Sequence, residues 1–241
     1  MRKIYLLLTA AISLTFLSGA AYGQTAEEIM DRYIEVSGLK GCEDMSGRSI
    51  YMDMNMLTMG LDMNIKGTIL YPSRMRFDMT VAGQNMLLVT DGEKGWMVAA
   101  GTKQVLPPEQ VKQMSAQNDM FSQMTFDKDR FELTLLDPVT EKGKKYDVLK
   151  AVEKAKTGPE AESIIYFDSE TGFVVRSTGC APGAGGSLIA TKIIFGDIRD
   201  FNGVKMPETM LVTAGNISSE IKVKSFEMDY PTEEWMFAEP E

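Results

Sequence analysis

The 241-residue chain contains no histidine and only two cysteines, Cys42 and Cys180. Without imidazole it lacks the commonest general base, the commonest metal ligand and every triad that relays a proton through His. Most hydrolase classes are excluded with it. Basic residues are also scarce: 25 Lys and Arg face 34 Asp and Glu, a net charge of −9, which opposes binding to nucleic acid or to an anionic surface. Beyond the first 23 residues no run is apolar over the length of a bilayer-crossing helix. The glycine-rich run Ala181-Pro182-Gly183-Ala184-Gly185-Gly186-Ser187 lacks the Gly-Lys-Ser/Thr ending of a phosphate loop and reads as a turn.

Residues 1–23 have the pattern of a cleaved export signal. Arg2 and Lys3 precede an apolar stretch from Ile4 to Ala21, and Ala21-Tyr22-Gly23 supplies the small residues a signal peptidase requires. No Cys follows Gly23, so the site at which an exported bacterial lipoprotein is acylated is missing. A periplasmic or secreted protein without a lipid anchor or a stable membrane span is expected, folded as one domain over residues 24–241. An oxidising compartment permits a Cys42–Cys180 disulfide, and two separate thiols are equally compatible with the spacing.

The remaining chain opens with a helix. Thr25 and Glu28 form a capping box, Ile29, Met30, Tyr33, Ile34 and Val36 share a face, and Gly38 ends the element. The pattern then changes to period two. Ile50, Met52, Met54 and Met56 alternate with Tyr51, Asp53 and Asn55; Leu61, Met63, Ile65 and Ile69 follow on a second strand, and Met75, Phe77, Met79 and Val81 on a third. Met86–Thr90 and Trp96–Ala100, on either side of the turn Asp91-Gly92-Glu93-Lys94, complete a meander. Pro107 and Pro108 open a second helix to about Met124, with Val111, Met114, Met120, Phe121 and Met124 in a loose apolar stripe. Seven further strands are expected over 131–136, 145–152, 163–167, 173–177, 188–195, 205–213 and 217–228, with Asp168–Gly172 and Asn202-Gly203 as turns. The architecture implied is mainly β (α+β), a wide antiparallel sheet or unclosed half-barrel of about eleven or twelve strands with helices covering its concave face.

Methionine is the residue in excess, 19 in all, of which only Met1 lies in the leader. Being unbranched and polarizable, Met repacks around acyl chains of different length, where β-branched residues would fix one shape. The candidate ligand-binding residues are therefore Met52, Met54, Met56, Met63, Ile65, Met75, Phe77, Met79 and Trp96, with Met114, Met120 and Phe121 as a lid. The same stripe also fits a closed core. Met thioethers also suit Cu(I), and Met52, Met54 and Met56 project from one face roughly 7 Å apart. The acid pairs Asp127/Asp129, Asp197/Asp200 and Glu227/Asp229 are the candidates for carboxylate chemistry, and each fits solvated surface charge equally well. Trp235 reads as a buried anchor of a sheet edge, and Trp96 allows that role too. Arg76 reads as a solvated outward charge.

The stretch from Lys66 to Trp96 resembles the outer-membrane lipoprotein carrier and sorting proteins of the LolA/LolB type. It carries Gly67, an apolar strand, Pro72, Arg76-Phe77, and, after a hairpin, Val89-Thr90-Asp91-Gly92 with Trp96. The opening helix and the closing Trp235-Met236-Phe237 before Pro240 fall where that family places its first helix and last edge segment. The resemblance implies an unclosed half-barrel enclosing an apolar cavity for acyl chains, with lipid or lipoprotein acyl chains and envelope donor or acceptor proteins as partners, and no catalytic residue or cofactor. One position departs from the pattern: carriers of this kind have Arg immediately before the Pro corresponding to Pro72, where it helps hold the lid, and here that residue is Tyr71. The expected function is an exported, non-enzymatic carrier or binding protein for a hydrophobic ligand. An envelope interaction module with a filled core is the alternative, and a Cu(I)-binding protein the third reading.

Overall fold

The computed structural model describes residues 24–42, 44–117, 121, 124–183 and 187–241. Helix α1 (Ala26–Val36) begins with the expected box: Glu28 N donates to Thr25 Oγ1 at 3.1 Å while Thr25 N donates to the Glu28 carboxylate at 2.8 Å. Two orphan amides of the first turn are thereby satisfied. After Gly38 the chain turns into strands β1 (Ser49–Thr58), β2 (Leu61–Leu70), β3 (Arg74–Val81), β4 (Gln84–Thr90), β5 (Gly95–Ala99) and β6 (Thr102–Val105). Helix α2 (Pro108–Gln117) follows, and Phe121 and Met124 beyond it are also helical. The second half supplies β7 (Phe131–Glu141), β8 (Lys144–Glu153), β9 (Glu162–Asp168), β10 (Val174–Pro182), β11 (Leu188–Phe195), β12 (Ile198–Phe201), β13 (Val204–Pro207), β14 (Thr209–Ala214) and β15 (Ile217–Met228).

Thirteen strands make one antiparallel sheet in the order β6-β5-β4-β3-β2-β1-β15-β14-β11-β10-β9-β8-β7. Its ends, β6 and β7, are not paired to each other, so the sheet is an open half-barrel. Two expectations change in detail. The four exposed residues of β6 form a strand that carries no burial pattern, and the segment expected as one strand over 205–213 is split at Glu208. Its first part, β13, leaves the main sheet to pair with β12 as a separate hairpin, and its second part, β14, stays.

Two apolar clusters lie on the inner face. One joins Ile29 and Met30 of α1 to Leu149, Ala151, Ile165 and Phe167 of β8 and β9. The other gathers Ile50, Met52, Ile69, Met75, Val223 and Phe226 of the sheet under Leu39, Phe121, Phe201 and Val204. Tyr33 packs against both, edge-on to Phe167 with ring centroids 5.7 Å apart, and burial pushes its phenol up to about 12 despite a hydrogen bond with Ser37 that works the other way. The disulfide left open by the sequence is not formed: Cys42 is buried in the second cluster, and Cys180 sits on β10 opposite Ala190.

Candidate functional site

Directly paired residues of an antiparallel sheet share a face, so the strand register assembles the inner surface row by row. From the end nearest α2 the first row is Gly95, Thr90, Met75, Ile69 and Ile50. Next come Met97, Leu88, Phe77, Gly67, Met52 and Phe226. The third row is Ala99, Met86, Met79, Ile65, Met54 and Val223, and the fourth Val81, Met63, Met56, Ile221 and Met210. A bulge makes the β1–β15 rows possible. Ser225 pairs with Asp53 and Val223 with Met54, so Lys224 is the extra residue that lets both Phe226 and Val223 face inward.

Burial falls across these rows over β1 to β5, while Val223 of the third row stays buried at 6 % exposure. Thr90, Met75, Ile69 and Ile50 are at most 2 % exposed. In the second row Met52 and Phe226 are buried while Met97, Leu88 and Phe77 are half-exposed. Met54, Ile65, Met79 and Met86, and then all of the fourth row, are half-exposed. The inner face is a trough closed at one end and open at the other.

The closed end owes its cover to α2 and the segment after it. A Cβ on Gly95 would stand 2.8 Å from Val111 and 2.9 Å from Leu106, so the bare glycine is what lets α2 approach the sheet. Phe121, 1 % exposed, meets the Tyr71 ring at 6.0 Å and the Phe226 ring at 6.3 Å, and Met114 packs on the same cluster. Tyr71 thus contributes an aromatic contact to this cover. In the second row Phe77 lies across Gly67, where a Cβ would come within 2.6 Å of its ring.

Of the residues expected from the sequence, Met52, Met54, Met56, Met63, Ile65, Met75, Phe77 and Met79 are brought together on this face. Met75, in the fully buried row, and Met52, 8 % exposed, belong to the buried core cluster and not to the lining. Met120 lies outside the described residues. Trp96 is misplaced by the expectation: it pairs with Val89, whose row continues through Arg76, Thr68 and Tyr51 on the outer face. There it is 4 % exposed, on the side covered by the C-terminal turn at Glu234–Phe237. Phe237, 2 % exposed, is the buried anchor of that turn; Trp235 is 60 % exposed, with the Arg76 guanidinium 5.7 Å from its ring. Arg76 also pairs with Asp78 at 2.7 Å, so it is not simply solvated. Met86, Met97, Val81, Ile221 and Met210 were missed, and Met86 and Met97 carried a signal: each lies an even number of positions from the inward residues at the β4–β5 turn.

The polar groups perform structural work. Asp127 Oδ1 accepts from Asp129 N, Asp200 Oδ1 accepts from Gly203 N, and Asp229 takes both branches of the Arg48 guanidinium at 2.8 Å. The Arg48 hydrogen bonds hold the Asp229 carboxyl below the usual carboxylate range. A cleft of about 470 Å3 at Arg74, Asp91, Glu234, Trp235 and Phe237 and one of about 460 Å3 at Lys66, Asp78, Asn85, Leu87 and Val98 are lined by polar and apolar residues together, and the second also touches Met79 and Met86. Among the described residues no helix is long and apolar enough to cross a membrane.

No family model matches the sequence, and no curated protein matches it. Solved structures do. A LolA superfamily protein from Nitrosomonas europaea superposes with a TM-score of 0.56 at 8 % identity, covering 89 % of this chain and 98 % of its own. A DUF1329 family protein from Desulfovibrio piger gives 0.55 at 12 % identity over 89 % of this chain and 98 % of its own. A putative outer membrane lipoprotein-sorting protein domain from Vibrio parahaemolyticus gives 0.50 at 14 % identity over 86 % and 97 %. The half-barrel and its inner covers are therefore a LolA-like fold.

Proposed function

We propose that this chain is an exported, non-enzymatic carrier or binding protein that holds a lipid, a lipoprotein acyl chain or another hydrophobic ligand in the open end of its inner trough. One observation carries the reading: two successive rows of apolar side chains, Met54, Ile65, Met79 and Met86 and then Met56, Met63, Val81 and Ile221, share one face and stay half-exposed. A filled core would bury them. Each such side chain covered by a ligand contributes roughly 1 kcal/mol of apolar burial to holding it. Met at these positions suits chains of variable length. The similarity to a lipoprotein-sorting domain supports the ligand class, and the leader at 1–23 supports a periplasmic location with donor and acceptor proteins in the envelope.

The test is solvent extraction and mass spectrometry of protein purified without detergent from an exporting host. A stoichiometric lipid in the wild type, lost in the Met54→Trp/Met79→Trp variant, is the expected result. If neither protein carries lipid or takes up added fatty acid or phospholipid, the reading fails and the interaction module replaces it. Replacing Met56 and Met63, which pair across β1 and β2, by Leu separates the copper reading: apolar ligand binding survives, whereas Cu(I) binding through thioethers would not.

A further inference from the structure

The outer face of the sheet carries a second run of hydrogen-bonding and aromatic groups, separate from the trough. On β3 the outward positions are Arg74, Arg76, Asp78 and Thr80, which alternate with the inward Met75, Phe77 and Met79. They extend about 20 Å along the strand. Arg74 lines the first cleft with Asp91, Glu234 and Trp235, and Asp78 and Thr80 line the second with Asn64, Leu87 and Val98. Arg76 joins the two, because its guanidinium pairs with Asp78 at 2.7 Å and stands 5.7 Å from the Trp235 ring. Met79 and Met86 have inward parity, so it is the strands β3 and β4 themselves that they present to the second cleft.

Three features define what this run can hold. Trp235 is 60 % exposed yet held in position, by Arg76 against its ring and by Glu233, whose carboxylate accepts from Nε1 at 2.6 Å. An indole fixed in solvent offers a flat, electron-rich face. Next, a polar row crosses four strands: Asn55, Asn64, Thr80 and Asn85 pair in register, although Asn is depleted in strands. Asn64 Nδ2 donates to Asn55 Oδ1 and Thr80 Oγ1 to Asn85 Oδ1, both at 3.0 Å, which leaves the Nδ2 donors of Asn55 and Asn85 for a ligand. Finally, Leu87 and Val98 pair directly beside Asp78 and are half-exposed, an apolar spot among hydrogen-bonding groups. Lys66, Arg74 and Arg76 face Asp78, Asp91, Glu93 and Glu234 across the two clefts, so the run is close to neutral.

We propose that this run is a saccharide-binding site that takes a neutral oligosaccharide bearing acetamido groups. One sugar ring lays its C–H face on Trp235, where the polarised hydrogens meet the electron-rich indole. A neighbouring sugar occupies the second cleft, and its hydroxyls, each both donor and acceptor, exchange hydrogen bonds with the polar row. Its acetamido methyl settles on Leu87 and Val98 with the N–H toward the Asp78 carboxylate. An extended peptide fits less well, because β2, β3 and β4 are each paired on both sides and have no backbone edge to offer it. The balanced charge favours neither a polyanion nor a polycation. The site lies on the face opposite the trough and does not rest on the carrier reading.

The test is isothermal titration of the protein with chitotetraose, a chain of N-acetylglucosamine, and with cellotetraose, the same backbone without acetamido groups. Chitotetraose binds, and the wild type prefers it about fourfold, as expected for covering one methyl group. Trp235→Ala weakens chitotetraose binding about tenfold while thermal unfolding stays as in the wild type, because the lost ring is exposed. Val98→Thr, which keeps the β-branched shape, removes the preference between the two sugars. Added palmitate leaves the chitotetraose titration as it was. No binding of chitotetraose at millimolar concentration, or a Trp235→Ala variant that binds it like the wild type, overturns the proposal. Equal affinity of the wild type for both sugars overturns the acetamido assignment, and competition by palmitate overturns the outer-face location by moving the sugar into the trough.

Discussion

The two ends of the inner trough are built from the same strands, with the same parity and much the same residues, yet one is core and the other is open. Met75, in the row under α2, is 1 % exposed; Met79, four residues along the same strand, is half-exposed. Nothing in β3 distinguishes them. The difference is supplied from elsewhere in the chain, by Val111, Phe121 and the loop at Leu39, which cover one end and stop short of the other. Methionine content alone therefore does not mark a binding surface. A site arises where an apolar row runs past its cover.

Disturbing the closed end should have the largest effect. Phe121→Ala removes the ring that Tyr71 and Phe226 enclose and is expected to cost about 3 to 4 kcal/mol, read as a shift in the urea midpoint at unchanged slope. Gly67→Ala comes next, at about 1 to 2 kcal/mol, because the new Cβ forces the Phe77 ring off its place in the second row. Tyr33 gives a pH-dependent effect of the order of 2 kcal/mol. Its folded pKa, about 12, lies above the ordinary phenol value of 10.0, so its contribution is complete below pH 10 and is lost as pH rises through 12. Tyr33→Phe should remove that part of the alkaline loss, checked by urea titrations across the window. At the open end the effect on stability should be smallest: Met54→Trp and Met79→Trp project into the trough and are expected to cost less than about 1.5 kcal/mol while abolishing ligand uptake. A cost at the open end equal to that of Phe121→Ala would erase the distinction between the ends.

Much of this was legible in the sequence, for identifiable reasons. Period-two alternation in residues 50–56, 61–69 and 75–81 specifies both strand and face, and the capping box at Thr25 and the turns at Asp168 and Asn202 specify ends. Strand β6 was invisible because Thr102–Val105 buries neither face. The break at Glu208 was invisible because β13 and β14 are each strand-like and differ only in which sheet they join. Trp96 was assigned to the wrong face because a side chain's side depends on the register across the β4–β5 turn, which pairs Val89 with Trp96 and is not encoded by alternation within either strand. The trough's lining was largely legible; its closed end was not, since the Tyr71–Phe121 contact joins residues fifty positions apart.

The most direct measurement is photocrosslinking of the wild-type protein with a diazirine-bearing fatty acid, followed by peptide mapping of the adducts. Adducts concentrated at Met54, Met56, Met63, Met79 and Met86, with none at Ile50, Ile69 or Met75, are the predicted result. Adducts spread over the outer face around Trp235 and Lys66, or none above background at saturating ligand, would contradict the account.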